Sequence, residues 1–233
     1  MRWIADERRV EALVEQRLGA VMIARGPDPA PDVTAIKAFL LERVREAGLA
    51  LLPLSHGNQA LLKRARFAGI ESLSEAVLLA CLDDWLAPLL TRRLDALGAQ
   101  ALHQALFNRL TYDERKCLEC LAPPHFTSPA GTQHAIDYED EGGPSVELRV
   151  QALFGLDIHP AFGQPPQLLL LKLTSPGGKP IQMTRDLPGF WRGSWRDVVR
   201  DMKGRYPKHR WPDEPWTEDP SLKTKNAFEA SRK

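Results

Sequence analysis

Along residues 32–122 the apolar positions recur every three or four residues, the period of helices that bury one face. Asp32 can cap a helix carrying Val33, Ile36, Leu40, Leu41 and Val44 and ending at Gly48. Ser72-Leu-Ser-Glu75 has the form of a capping box ahead of Leu78, Leu79, Leu82, Trp85 and Leu86, with Pro88 near the end of that helix. Leu102, Ala105, Leu106 and Arg109 predict another helix. Thr111-Tyr-Asp-Glu114 can cap the next, which Pro123-Pro124 stops. The segment reads as a small helical bundle.

After Pro124 the period changes from helical to alternating. His134, Ile136 and Tyr138 alternate with polar residues, Asp140-Glu-Gly-Gly-Pro144 supplies a turn, and Val146, Leu148 and Val150 alternate again, which predicts a hairpin. A short helical stretch around Ala152-Leu-Phe154 follows, closed by Gly155. A second hairpin is predicted from Leu168 to Leu187, with Ser175-Pro-Gly-Gly-Lys-Pro180 as its turn. Ser194 is then expected to cap a last helix containing Val198, Val199 and Met202 and ending at Gly204. Residues 1–25 are ambiguous at this level. Val10, Ala12, Val14, Gln16, Leu18 and Ala20 alternate as in a strand, while Val10, Leu13, Val14 and Leu18 fit a helix nearly as well. Helices together with hairpins give an α+β class.

Composition narrows the function classes. Of 233 residues, 43% are hydrophobic and 26% charged, and the formal charge is +1, as in a globular protein of one or two domains. No apolar run approaches the roughly 20 residues that span a bilayer, and the four leucines from Leu168 to Leu171 read as a buried strand. Arg2, Asp6, Glu7, Arg8 and Arg9 make the start too polar for a secretory signal, so a cytoplasmic protein with no membrane partner is expected. Nineteen prolines cluster at 27–31, 123–124, 165–166 and 207–220 and bracket the structured blocks. Three cysteines, Cys81, Cys117 and Cys120, form no disulfide framework. Cys117-Leu-Glu-Cys120 lies at helical spacing and suits packing. Metal or redox chemistry is the alternative, but the second pair that a zinc site needs is missing.

The chemistry of a motor is absent from the sequence. Gly177-Gly178-Lys179 is followed by Pro180 and fails as a phosphate-binding loop, and no Asp-Glu-Ala-His box occurs. Gly193-Ser194-Trp195 lacks the glycines of a nucleophile elbow. The histidines at 56, 103, 125, 134, 159 and 209 are scattered without metal-ligand spacing, and Asp137 with Glu139-Asp140-Glu141 reads as a solvated acidic turn. No catalytic residue, metal ligand or cofactor is expected in this chain.

One stretch does suggest a ligand. Between Arg185 and Trp211 stand Arg185, Arg192, Arg196, Arg200, Lys203, Arg205, Lys208 and Arg210 against Asp186, Asp197 and Asp201, a local excess of five positive charges in a chain whose total is +1. Trp191, Trp195, Tyr206 and Trp211 are interleaved with them. Cations hold phosphates and exposed aromatics stack on unpaired bases, so the stretch is a candidate single-strand RNA surface. The alternative is that the aromatics form the unit's own core and the bases are an ordinary solvated face. Arg196, Arg200 and Lys203, spaced by four and three, fall on one helix face.

The strings Ser175-Pro-Gly-Gly-Lys-Pro-Ile-Gln-Met-Thr-Arg-Asp-Leu-Pro-Gly-Phe-Trp-Arg-Gly-Ser-Trp195 and Lys203-Gly-Arg-Tyr-Pro-Lys-His-Arg-Trp-Pro-Asp-Glu-Pro215 carry a resemblance. They are similar to the closing segment of HrpB-type bacterial DEAH-box ATP-dependent RNA helicases. Gly48-Leu-Ala-Leu-Leu-Pro53, Leu82-Asp-Asp-Trp-Leu-Ala-Pro88, Pro123-Pro-His-Phe-Thr-Ser-Pro129 and Leu153-Phe-Gly-Leu156 match the family in the same order over nearly the whole chain. The resemblance implies a C-terminal region whose ATP- and Mg-dependent motor domains lie elsewhere, with those motor domains, RNA and a protein partner as candidate partners. It implies a chain that assists RNA binding or positioning without ATPase activity of its own; a structural docking module with little RNA affinity is the alternative. Residues 1–25 resemble the last strands of an OB-like barrel, through Arg2-Trp3 and Arg17-Leu18-Gly19-Ala20, which favours strand there. The expected organisation is a barrel remnant at 1–25, a helical domain at 30–124, a C-terminal α+β domain at 125–212 and a disordered tail at 213–233. A truncated reading frame, a separate subunit and a fragment all fit this sequence.

Overall fold

The computed structural model describes residues 1–4 and 8–231. Ala5, Asp6 and Glu7, in the polar start and expected barrel remnant, lie outside the described residues, as do Arg232 and Lys233 at the end of the expected tail. The chain divides into two compact units, Met1–Lys116 and Cys117–Lys233.

The first unit opens with two antiparallel ribbons. β1 (Arg2–Ile4) pairs with β2 (Arg9–Glu11), and β3 (Leu13–Leu18) pairs with β4 (Val21–Pro27) through a turn at Gly19, whose φ of 59° suits glycine. The ambiguous segment is therefore strand. A barrel remnant is not confirmed, because no closed barrel exists among the described residues and each ribbon has two strands only. Val14, Leu18, Val21, Met22 and Ile23 of β3 and β4 are exposed.

Helices follow. α1 (Val33–Ala47) starts where the Asp32 side chain accepts from the Thr34 amide at 2.8 Å and stops at Gly48, whose φ is 79°. Ile36, Leu40, Leu41 and Val44 are buried, as the spacing predicts, but Val33 is exposed. α2 (His56–Phe67) escaped the sequence reading. Only Asn58, Leu61 and Ala65 of it are buried, so its apolar stripe is thin among Lys63, Arg64 and Arg66. α3 (Glu75–Ala80) is capped by Ser74, whose hydroxyl accepts from the Val77 amide, and not by Ser72 as the capping-box pattern suggests. Glu75 reaches sideways instead and accepts from the Leu49 amide at 3.1 Å. The predicted single helix breaks at Cys81 into α3 and α4 (Leu82–Trp85), and Leu78, Leu82, Trp85 and Leu86 are buried together. α5 (Ala99–Asn108) buries Leu102 and Leu106. α6 (Tyr112–Leu121) begins with a reciprocal cap: Glu114 accepts from the Thr111 amide at 2.8 Å and Thr111 accepts from the Glu114 amide at 3.2 Å.

In the second unit a three-stranded sheet carries the core. β5 (His125–Thr127) pairs with β6 (Gln133–Ala135), and β7 (Ser145–Arg149) lies parallel to β10 (Leu170–Thr174). β8 (Ala161–Phe162) and β9 (Gln167–Leu168) form a short ribbon between them in sequence. β11 (Pro180–Thr184) completes the order β11-β10-β7 and the expected second hairpin. Leu169, Leu170 and Leu171 are buried and lead into the central strand; Leu168 is exposed.

The first predicted hairpin does not form. Its two arms meet at the isolated Asp137–Ser145 bridge and form no ladder beyond it among the described residues. The first arm turns back onto His125–Thr127, and the Tyr138 hydroxyl donates to the Pro123 carbonyl at 2.6 Å. The second arm, with Val146, Leu148 and Val150 all buried, gains more apolar contact beside the leucine strand than beside a polar ribbon.

Leu187, expected in the second hairpin, starts α7 (Leu187–Arg192) instead, because Asp186 accepts from the Gly189 amide at 2.9 Å and caps it. α8 (Trp195–Arg205) follows, but Ser194 makes no side-chain cap; its hydroxyl donates to Gln182 at 3.1 Å. The tail is ordered over the described residues, contrary to expectation. The Pro215 carbonyl accepts from the Gly155 amide, and α9 (Lys225–Ala230) seats Phe228 against the Arg210 guanidinium, 3.7 Å from carbon to ring centroid.

Candidate nucleic-acid interface

The α7–α8 segment holds most of the predicted site residues, and α8 sorts them by face. Trp195 and Val199 are buried, Val198 and Met202 half-buried, and all pack on the inner side of the sheet with Val146, Leu148, Leu171 and Leu173. Trp195 sits at the centre, with ring centroids 5.1 Å from Trp191 and 5.9 Å from each of Phe154, Phe190 and Trp211.

Trp191, Trp195 and Trp211 are thus withdrawn from the base-stacking role. They are 1%, 0% and 4% exposed, and each indole N–H donates inward, to the carbonyls of Leu156, Pro212 and Tyr206 respectively. A small unit obtains its core from the bulkiest side chains available, and an indole buried with its donor satisfied is a structural anchor. Tyr206 alone of the four aromatics is half-buried.

The cations remain outside. Arg196, Arg200 and Lys203 are exposed along one flank of α8, as the spacing predicts. Arg205 lies on the opposite flank, and Lys208 is exposed beyond the helix. Arg200 pairs with Asp197 at 2.8 Å, but both side chains are more than two-thirds exposed, so the pair is weak and the guanidinium stays available. Arg192 is braced differently. It pairs with Asp157 at 2.6 Å and lies 4.8 Å above the Trp216 ring, and its hydrogen bond holds the Asp157 carboxyl below the usual carboxylate range. Arg185 is exposed and extends along the Gly142–Gly143 turn. Arg210 is 8% exposed: it pairs with Glu218, donates to the Asp219 carbonyl at 2.8 Å and belongs to the structure of the unit. The structure therefore brings together Arg196, Arg200 and Lys203, and sets Arg185 and Arg192 apart at the two ends of α7.

Two cations outside the predicted stretch are also exposed near the end of α8: Arg149, the last residue of β7, and Lys179, in the β10–β11 turn. Charge counting along the chain missed them because they come from different elements. The signal in the sequence for Lys179 is the Gly177-Gly178-Lys179 turn, which sets a cation at the tip of a hairpin.

Cys117 is half-buried and Cys120 exposed, so only the first contributes to packing; among the described residues no group of three or more His, Cys, Asp or Glu could hold a metal ion. In the acidic turn Asp140 takes up Lys172, the Gly142 amide and the Ser145 hydroxyl, and the Lys172 bond holds its carboxyl low. No described helix is long and apolar enough to cross a membrane.

Comparison with known proteins gives this arrangement a context. Residues 85–215 match a family model described as ATP-dependent helicase C-terminal. The ATP-dependent RNA helicase HrpB of Escherichia coli (strain K12) is 32% identical over 232 residues, 96% of this chain and 29% of the relative. Two crystal structures of Escherichia coli HrpB are similar. One, described as a DExH-box NTPase, has a TM-score of 0.72 at 32% identity over 89% of this chain and 27% of its own. The other, described as a DEAH/RHA helicase, has a TM-score of 0.60 at 30% identity over 84% and 26%. The chain spans under a third of the length of each.

Proposed function

Since this chain belongs to the ATP-dependent helicase C-terminal family, we propose that it is the accessory region of an ATP-dependent RNA helicase and holds RNA for the motor through its phosphates. The observation that supports this reading is the division of α8 into a buried face of Trp195 and Val199 and an exposed flank of Arg196, Arg200 and Lys203. Phosphate contacts position a strand and carry no sequence information, and Trp191, Trp195 and Trp211 lie in the core, away from any base. The region acts in the cytoplasm beside motor domains that supply ATP and Mg chemistry, and it performs no hydrolysis itself.

A labelled single-stranded RNA titrated at several salt concentrations tests this. Log affinity is expected to fall linearly with log salt, and Arg196→Glu with Arg200→Glu to weaken every sequence alike and flatten the slope. Unchanged affinity in the folded double variant removes the row from the RNA surface. One observation favours a second reading, a docking module. The apolar side chains exposed on β3 and β4 are of the kind that partner proteins cover. In that case the unaltered chain shows no salt-dependent RNA affinity.

A further inference from the structure

Three elements of the second unit end at one place. β7 and β10 run parallel, so Arg149 pairs in register with Thr174 at the end of the sheet where β10 enters its turn. The turn folds back on itself: the Ser175 amide donates to the Lys179 carbonyl at 2.8 Å, and the Ser175 hydroxyl accepts from the Lys179 amide at 3.0 Å. Ser175 is fully buried, and its hydroxyl donates onward to the Tyr206 hydroxyl at 3.3 Å. Tyr206 is the residue at which α8 stops. The contact is close, since a Cβ placed on Gly177 would lie 2.7 Å from the Tyr206 hydroxyl oxygen. His209 packs edge-on to Tyr206, with ring centroids 6.3 Å apart, and its protonation is disfavoured by burial and, after that, by the nearby Arg149 guanidinium.

Around that tyrosine stand Arg149 from β7, Lys179 from the turn, Lys203 and Arg205 on either side of it along α8, and Lys208 just beyond, all exposed. Among the described residues these five side chains hold no ion pair, whereas Arg192 and Arg200 each hold an aspartate. The nearest carboxylates in sequence are Glu147, two residues before Arg149 on β7, and Asp201, two residues before Lys203. Cations gathered from three elements without internal partners repel one another until an external anion enters.

We propose that Arg149, Lys179, Lys203, Arg205 and Lys208 form a cradle for consecutive phosphates of an RNA strand, centred on Tyr206, and that Gly177 lets the turn lie flat enough on Tyr206 to aim Lys179 into it. The proposal rests on the reading above and names where on the unit the strand lies. Lys203 joins the cradle to the Arg196–Arg200 row, so the strand runs from the flank of α8 around its end. Lys179 and Arg149 contact phosphate; Gly177 and Tyr206 are positioning residues.

The test uses the whole chain and a labelled single-stranded RNA over a salt series. Arg149→Ala and Lys179→Ala are each expected to lower affinity for all sequences alike and to flatten the salt slope by about 0.7 per cation removed. Gly177→Ala removes no charge, yet it should lower affinity as Lys179→Ala does, and Tyr206→Phe in the same chain should restore it by removing the oxygen that the new methyl meets. The His209 ring signals in an NMR spectrum should move when RNA is added. Folded Arg149→Ala and Lys179→Ala variants with unchanged affinity and slope, beside a weakened Arg196→Glu/Arg200→Glu variant, overturn the cradle alone. A chain that shows no salt-dependent RNA binding overturns the functional reading itself. Binding of polyglutamate as tight as RNA assigns the cradle to an acidic protein and overturns it as an RNA site.

Discussion

His159 shows how much one uncharged side chain can hold. Its Nε2 donates to the Leu169 carbonyl at 2.7 Å and its Nδ1 accepts from the Leu187 amide at 3.1 Å, so it ties the approach to the central strand to the first residue of α7. Both bonds exist together only in the neutral ring, and burial holds its pKa below the ordinary histidine value. A group whose folded pKa is lowered stabilises most above its unfolded pKa and loses that contribution as pH falls through it toward the folded value. His134, lowered by burial too, acts in the same direction. Stability of the second unit should therefore decline as pH falls below about 6.5. His159→Gln should cost about 1–2 kcal/mol at neutral pH and flatten the decline, read by urea denaturation at several pH values. The tryptophans give a larger effect by another mechanism. Trp195→Ala should cost about 3–5 kcal/mol in the same assay, because it empties the centre of a fully packed aromatic cluster. Neither role was legible in the sequence. Basic residues interleaved with aromatics fit a stacking surface and a core equally well, and only three-dimensional packing decides between them.

At the scale of elements, caps and partners diverge from their sequence signals in instructive ways. Asp32 and Thr111 cap the helices expected of them, each side chain accepting from an amide of the first turn. Ser194 stands in an equally good sequence position, but only Gly193 separates it from the end of α7, and its backbone is already helical, with φ −71° and ψ −9°. A residue in that conformation cannot turn its hydroxyl back onto the first amides. Asp186→Ala should therefore destabilise the second unit by about 1 kcal/mol, whereas Ser194→Ala should cost less, with thermal melts of the two variants as the comparison. The two- and three-residue strands β5, β8 and β9 left no signal, but strands with longer alternation, such as β7, were legible. Strand partners were not, since an alternating segment records which faces are buried and not which neighbour buries them. Hence β7 lies parallel to a strand more than twenty residues away and not antiparallel to the arm that precedes it.

For the molecule as a whole, the α+β class and the family were legible, while the ordered tail and the open ribbons were not. The tail is rich in Pro, Lys and Glu, which reads as disorder, yet Phe228 and Pro215 each find a seat. Two predictions belong at this scale. Amide exchange in β3 and β4 should be faster than in α1 and α5, because a two-stranded ribbon with exposed apolar side chains has little beyond its own ladder to protect it. The purified chain should neither bind nor hydrolyse ATP, since its sequence offers no loop for the β- and γ-phosphates and no acidic box for Mg. A phosphate-release assay on material freed of contaminating ATPases checks this, and turnover above the blank refutes it.

The cluster around Trp195 also makes the second unit report on itself optically. Four of the chain's six tryptophans, Trp191, Trp195, Trp211 and Trp216, belong to that unit, and the first three are nearly dry. Their emission should be blue-shifted in the native state and move to the red as water reaches the indoles. The perpendicular Trp191–Trp195 pair, 5.1 Å apart, should give a near-ultraviolet dichroism band that vanishes when rigid packing is lost, even where helix content survives. Unlabelled protein thus distinguishes a loosened aromatic core from a melted backbone in a single pair of spectra.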